Sequence, residues 1–241
     1  MKRIILGACA LFGLSATAQA QMSIGIEAGA TYNTLTQVIN GVDRDTEGQV
    51  GARGGIIFNI PLGESSRFHL QPSLIYDAGS GSKSDYSSQT ATGSGVPVYE
   101  RDMRHYRINQ VNLPIYLVYK FGDPIYDENH FFIGLGPSFS YTVGGRLHQI
   151  YSNWFNGRER TKDNDLPINV GEGTYKDYKE FNVGASVTLG YEFKPGIYVK
   201  GHYTYNFLNM HPLASSKNEM QAMQAGLTVG FFFKKFERYK Y

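Results

Sequence analysis

Seven ionisable side chains fall on the polar phase of alternating segments: Glu27, Arg53, His69, Lys120, Glu192, Lys200 and His202. Gathered in a narrow interior, such groups form either a proton or ion path or a salt-bridged plug, because charges removed from water need partners. The turn at 194–196 places Glu192 roughly diagonal to Lys200, and Glu27 can lie opposite Arg53 across the first hairpin. Both pairs are of opposite charge, which favours the plug. Other chemistries have less to stand on. The histidines at 69, 105, 130, 148, 202 and 211 show no HExxH or paired-ligand spacing. The run Asp43 to Gly48 resembles the start of a calcium loop, but Gly54 stands where that loop needs a bidentate Glu. A Gly-x-Ser-x-Gly elbow is absent, and the single cysteine, Cys9, lies in an apolar leader. Catalytic residues, metals and cofactors are therefore not expected.

The elements that carry these side chains are strands. From Phe181 to Phe193 every odd position is apolar, while the even positions are Asn182, Gly184, Ser186, Thr188, Gly190 and Glu192. A period of two means a strand with one apolar face and one small or polar face. Seven other segments pass the same test: 22–33, 48–60, 67–78, 103–121, 130–143, 197–208 and 219–234. Pro72, Pro114 and Pro137 interrupt three of them and predict bulges or local breaks in pairing.

The connections measure 14, 6, 24, 8, 34, 3 and 10 residues, so long and short alternate without exception. Long loops at one end and short turns at the other mark a transmembrane barrel with extracellular loops and periplasmic turns. Residues 79–102 hold ten Gly or Ser among 24, and 144–177 contains Gly144-Gly145, Asn156-Gly157 and Leu166-Pro167, so both read as loops.

Composition agrees. Charged residues make up 18% and aromatics 14%, with 23 Lys plus Arg against 21 Asp plus Glu, which disfavours disorder and a nucleic-acid partner. Lys2 and Arg3, the apolar stretch 4–17 and Ala18-Gln19-Ala20 describe a secretory signal peptide over 1–20, leaving a barrel domain at 21–241. The Leu6-Gly7-Ala8-Cys9 box would leave too short an apolar segment for a lipoprotein leader. Removing 1–20 leaves 21 charges of each sign and no cysteine.

Aromatics gather toward apolar-face strand ends: Tyr32, Phe58, Tyr76, Phe121, Phe131, Tyr141, Tyr191, Phe193, Phe207, Phe231 and Phe233. Interfacial girdles have this placement, so the apolar face points to lipid. In hydrocarbon an unpaired N–H or C=O costs several kcal/mol, so the sheet must close, with 22–33 against 219–234. The expectation is an all-β, eight-stranded antiparallel up-and-down barrel whose interior is filled by side chains.

Three stretches resemble known patterns. His202-Tyr203-Thr204-Tyr205-Asn206 is similar to the His-aromatic-Ser-Asn stretch of outer-membrane lipid A deacylases, with Thr204 where that family has its Ser nucleophile and with an inward phase. Gln224 to Phe231 resembles the C-terminal signal read by the barrel assembly machinery, placed ten residues before the chain end. Leu113 to Phe121, with Pro114, and Gly134-Leu135-Gly136-Pro137 resemble strands of the PorT-like outer-membrane β-barrel family, and Phe181 to Asn209 its penultimate hairpin, over about 22–236. That resemblance implies an integral barrel of the Gram-negative outer membrane and, for the family's named member, a part in protein secretion. It supplies no catalytic residues. The expected role is a non-enzymatic surface, structural or secretion-associated component, the alternatives being a small porin-like channel and a lipid-modifying enzyme. The expected partners are outer-membrane lipid, the barrel assembly machinery and other outer-membrane or secretion proteins met through the loops.

Overall fold

The computed structural model describes residues 22–233 except 40, 45, 63–66, 92–96, 123–128, 156–157, 195 and 214–216. The signal peptide expected over 1–20 lies outside the described residues. Eight long strands make the wall: β1 (Ser23–Ile39), β3 (Thr46–Pro61), β4 (Phe68–Ala91), β5 (Pro97–Lys120), β6 (His130–Phe155), β8 (Phe181–Glu192), β9 (Ile197–Asn206) and β10 (Glu219–Phe232). Each is antiparallel to its sequence neighbour. β1 meets β10 over fourteen positions, from Gly25↔Phe232 to Val38↔Glu219, and that seam closes the ring. Two short strands are additions at the extracellular end. β2 (Val42–Arg44) continues the first hairpin beside β1, and β7 (Arg158–Pro167) pairs with β6.

Alternation becomes a wall with two environments. Along β8 the burial runs strictly in and out, with Asn182, Ser186, Thr188 and Glu192 enclosed and Phe181, Val187, Leu189 and Tyr191 outside. Rings at the outer surface touch in two tiers. The periplasmic tier contains Phe68–Tyr119, Phe121–Phe131, Tyr191–Phe193 and Phe231–Phe233 pairs, and the upper one Phe139–Phe181 and Tyr205–Phe207. Phe131 and Tyr141 lie ten residues apart on β6, and at about 3.3 Å per residue with a tilt near 40° they stand about 25 Å apart in height, the apolar thickness of an outer-membrane barrel.

The structure corrects one expectation. Residues 79–102 and 144–177 are largely strand. β4 and β5 stay paired up to Ala91↔Pro97, and β6 turns back into β7 as far as Phe155↔Arg158, so a four-stranded sheet rises above the membrane. β7 is exposed along its whole length and the buried side chains of β4 in this stretch are serines, so few apolar residues mark an inner face and the period-two signal fades. The prolines do break the pairing locally, at Pro72 and where Pro114 and Pro137 adjoin, but they do not move the register. The β4–β5 ladder passes Pro72↔Ile115 and resumes in phase at Ile75↔Asn112, the β5–β6 ladder passes Pro114↔Ser138 and resumes in phase at Leu117↔Leu135, and Pro137↔Ala185 sits in an unbroken β6–β8 ladder. The shifts fall instead between Asp77 and Ser80 and beside Asn109, where Gly79 (φ 69°) and Gly144 (φ 147°) take the left-handed conformations that a bulge demands.

Candidate functional site

The lumen collects ionisable groups away from both lipid and water. All seven candidates point into it, each at most 9% exposed. Nearest the periplasm, where β5 and β8 end, Lys120 Nζ meets Glu192 Oε2 at 2.6 Å. His69 sits beside them, one diagonal step from Lys120 in the β4–β5 ladder. The next layer is apolar: Ile57, Tyr116, Val118, Phe132, Tyr198 and Phe232 pack together.

Above that layer the charges are paired again. Glu27 Oε2 accepts from Lys200 Nζ at 2.6 Å and from the Tyr198 hydroxyl at 2.8 Å. Lys200 also lies 5.6 Å from the Tyr198 ring centre and 5.8 Å from that of Tyr116. Arg53 faces Asp77, Nε to Oδ1, at 3.5 Å and donates into the His202 ring. The other Asp77 oxygen accepts from Asn112 and, at 2.6 Å, from Gln224. With the Lys120–Glu192 pair, three cations thus stand against three buried carboxylates on six different strands.

Sequence spacing anticipated the residues better than their pairings. Glu27 lies directly across from Gly55 and one step from Arg53, yet takes Lys200 across the β1–β10–β9 seam; Arg53 takes Asp77 on β4 instead. Glu192 is diagonal to Lys200 through the Gly190↔Lys200 pair, and Lys120 on β5 reaches it. The spacing argument missed Asp77, Asn112, Tyr116, Tyr198 and Gln224. Asp77 was findable, being in phase with His69, Gln71 and Ser73, but inward Ile75 breaks the polar run before it. Tyr198 has room because Gly230 faces it: a Cβ there would run into the Tyr198 ring.

A third layer closes the extracellular end. Leu35, Tyr106, Ile108, Leu147, Ile168, Tyr178, Met210, Met220 and Ala222 form one buried cluster. Six of these come from the strands and Ile168, Tyr178 and Met210 from the segments after β7 and β9. Alongside the deacylase-like stretch, His202 is engaged by Arg53, while Thr204 Oγ1 lies 2.8 Å from Ser186 Oγ. Among the described residues no three His, Cys, Asp or Glu are arranged to hold a metal ion.

Closure without an edge, a lipid-facing apolar band between aromatic tiers and a filled polar lumen define a transmembrane β-barrel of the outer membrane. A family model described as outer membrane protein beta-barrel domain matches residues 17–211, and the chain belongs to that family. No curated protein matches the sequence. Among solved structures the chain is similar to OprG of Pseudomonas aeruginosa, at 10% identity over 90% of this chain and 97% of that one, with a TM-score of 0.46. It is similar also to Neisserial surface protein A, at 11% identity over 87% and 97% with a TM-score of 0.38. A third, Ail of Yersinia pestis, crystallised with the heparin analogue sucrose octasulfate, shows 10% identity over 88% and 99%, with a TM-score of 0.35.

Proposed function

We propose that this protein is a closed, non-enzymatic barrel of the PorT-like type that works as a surface, structural or secretion-associated component, through the sheet it raises above the outer membrane. The observation that carries the reading is the stacking of the lumen: an ion-paired polar belt lies between two apolar layers, and three cations meet three carboxylates with no excess charge to select an ion. A hydrated path along the axis would have to unpack both layers. The engagement of His202 by Arg53 supports a role without acyl-transfer chemistry, since a general base must reach its nucleophile. The sheet formed by β4 to β7 offers partners a broad polar surface, with exposed Tyr99 and Phe155 near its hairpin tips. The expected contacts are with lipid through the wall, with the barrel assembly machinery during insertion and with other envelope proteins through the sheet.

Single-channel recording in planar bilayers tests this. A closed barrel gives a baseline without unitary steps; regular conductance steps from the purified protein would refute the plug and favour the small channel.

A further inference from the structure

The mouth of the barrel contains polar side chains that the lumen network does not use. Gln37 on β1 is directly opposed to Arg44 on β2, with both on the inward face. The Arg44 guanidinium lies over the Tyr86 ring, 4.6 Å from its centre, and Tyr86 is opposed to Asp102 in the β4–β5 ladder. Ser84 is the next inward residue along β4 and is opposed to Arg104. One row across two hairpins therefore brings together Gln37, Arg44, Tyr86, Asp102, Arg104 and Ser84, above the apolar layer that closes the lumen.

The donors of this basin are unspent. Arg44 Nε and Nη1, both amide atoms of Gln37 and Ser84 Oγ are buried with no hydrogen-bond partner. Leaving a buried donor unpaired is costly, and more so when it is charged. Asp102 answers Arg44 only with a long ion pair and no hydrogen bond. Its Oδ2 takes Arg104 at 2.8 Å and its Oδ1 takes Gln149 at 2.8 Å, whereas Arg44 stays 3.8 Å away. The basin so described has two guanidiniums for one carboxylate. Its rim is reachable from outside, with Arg44, Asp102 and Arg104 side chains 11%, 14% and 29% exposed, while Gln37 and Ser84 at 1% and 2% form a floor.

From this juxtaposition we infer that the extracellular mouth is a binding site for a phosphate group, with Arg44 as its cation and Gln37 and Ser84 completing its shell. A phosphate oxygen matches the guanidinium, amide and hydroxyl donors, and charge-assisted bonds of this kind are the strong ones. A protonated phosphate oxygen is also a donor, which gives the unpaired Gln37 carbonyl oxygen a partner. The Tyr86 ring braces the guanidinium from behind and keeps it aimed at the ligand. With an apolar layer beneath, the site is a dead end that receives from outside.

The test is titration of inorganic phosphate into the full-length protein in detergent micelles, read by calorimetry and by the NMR signals of the Arg side chains and the Gln amides. Saturable binding is expected, with the Arg44 Nε–H and Gln37 amide signals moving and at least a tenfold weakening in Arg44→Gln. Arg44→Lys should keep part of the affinity, and Arg101→Gln, which breaks an exposed pair with Asp85, should keep all of it. If phosphate produces no saturable shift in the wild-type protein, water satisfies these donors and the inference is overturned, however Arg44→Gln folds. Repeating the titration in vesicles with and without phosphorylated lipid A separates two sources. Blocked binding with lipid A assigns the site to a headgroup phosphate, and unchanged binding to a soluble phosphate. Because this readout needs no current, its outcome is independent of whether the barrel conducts.

Discussion

Replacing Lys200 or Glu27 one at a time removes half of an ion pair whose partners are 3% and 1% exposed and 2.6 Å apart. At an effective dielectric of about 20, charges at that distance attract by roughly 6 kcal/mol, against which stands the cost of dehydrating both. Glu27→Gln leaves the Lys200 ammonium uncompensated beside two aromatic rings; Lys200→Met leaves the carboxylate with only the Tyr198 hydroxyl. Breaking a buried pair in this way costs about 3–5 kcal/mol, whereas removing both charges together is close to neutral. With a urea slope of about 2 kcal/mol per M, each single variant should unfold at a midpoint lower by about 2 M. The double variant should recover most of the loss, so the coupling in the cycle approaches the sum of the two single losses, about 6 kcal/mol or more. The assay is urea unfolding in lipid vesicles, followed by heat-dependent gel mobility. Single shifts below about 0.5 M, or a double variant as weak as the two losses added, would mean that the lumen is wet enough to screen the pair, and the plug argument would fall with it.

Other outcomes follow from the same geometry. Trp154, the only tryptophan, lies thirteen residues beyond Tyr141 on β6, roughly 30 Å above the upper tier; its fluorescence should be quenched by aqueous iodide and untouched by brominated acyl chains, the reverse pattern placing the sheet in the membrane. Gly230→Val should abolish the heat-modifiable folded form, because a Cβ there meets the Tyr198 ring, while Gly79→Asn, whose Cβ meets nothing within 4 Å and whose residue type tolerates the left-handed conformation, should cost about 1 kcal/mol or less. Burial and then Lys83, His148 and Arg107 lower the His105 pKa. The unfolded segment therefore takes up the proton first, and the extracellular sheet should keep its full protection above about pH 6.5 and lose it on acidification. Hydrogen exchange between pH 8 and 5 checks this, and His105→Gln should flatten the profile.

The barrel was legible because lipid enforces a rule that sequence obeys residue by residue. In β8 each outward position is apolar or small, so strand, phase and inward residues follow from the pattern alone. Above the membrane that rule lapses. Ser80, Ser82 and Ser84 all turn inward on β4, yet their Gly-Ser setting reads as loop because Lys83 and Asp85 on the other face are equally polar. The lumen shows the same division. Phase identified Glu27, Arg53, His69, Lys120, Glu192, Lys200 and His202 as inward, but partners are set by side-chain reach across the lumen, as Gln224 on β10 reaching Asp77 on β4 shows. Sequence distance carries no trace of that contact. The mouth was equally hidden, since Arg44 and Asp102 belong to different hairpins and look like ordinary polar residues.

The seam between β1 and β10 has a consequence for how the protein is made. Gly25 pairs with Phe232, so the first wall strand waits for the last before either side is satisfied. Every shorter nascent product exposes two unmated borders, the kind of surface that recruits wrong neighbours. Closing a loop of that length is slow relative to local hairpin formation. The chain must therefore reach its membrane still unfolded and be held apart from its copies, and the decisive event in its biogenesis is a single late zippering rather than stepwise growth.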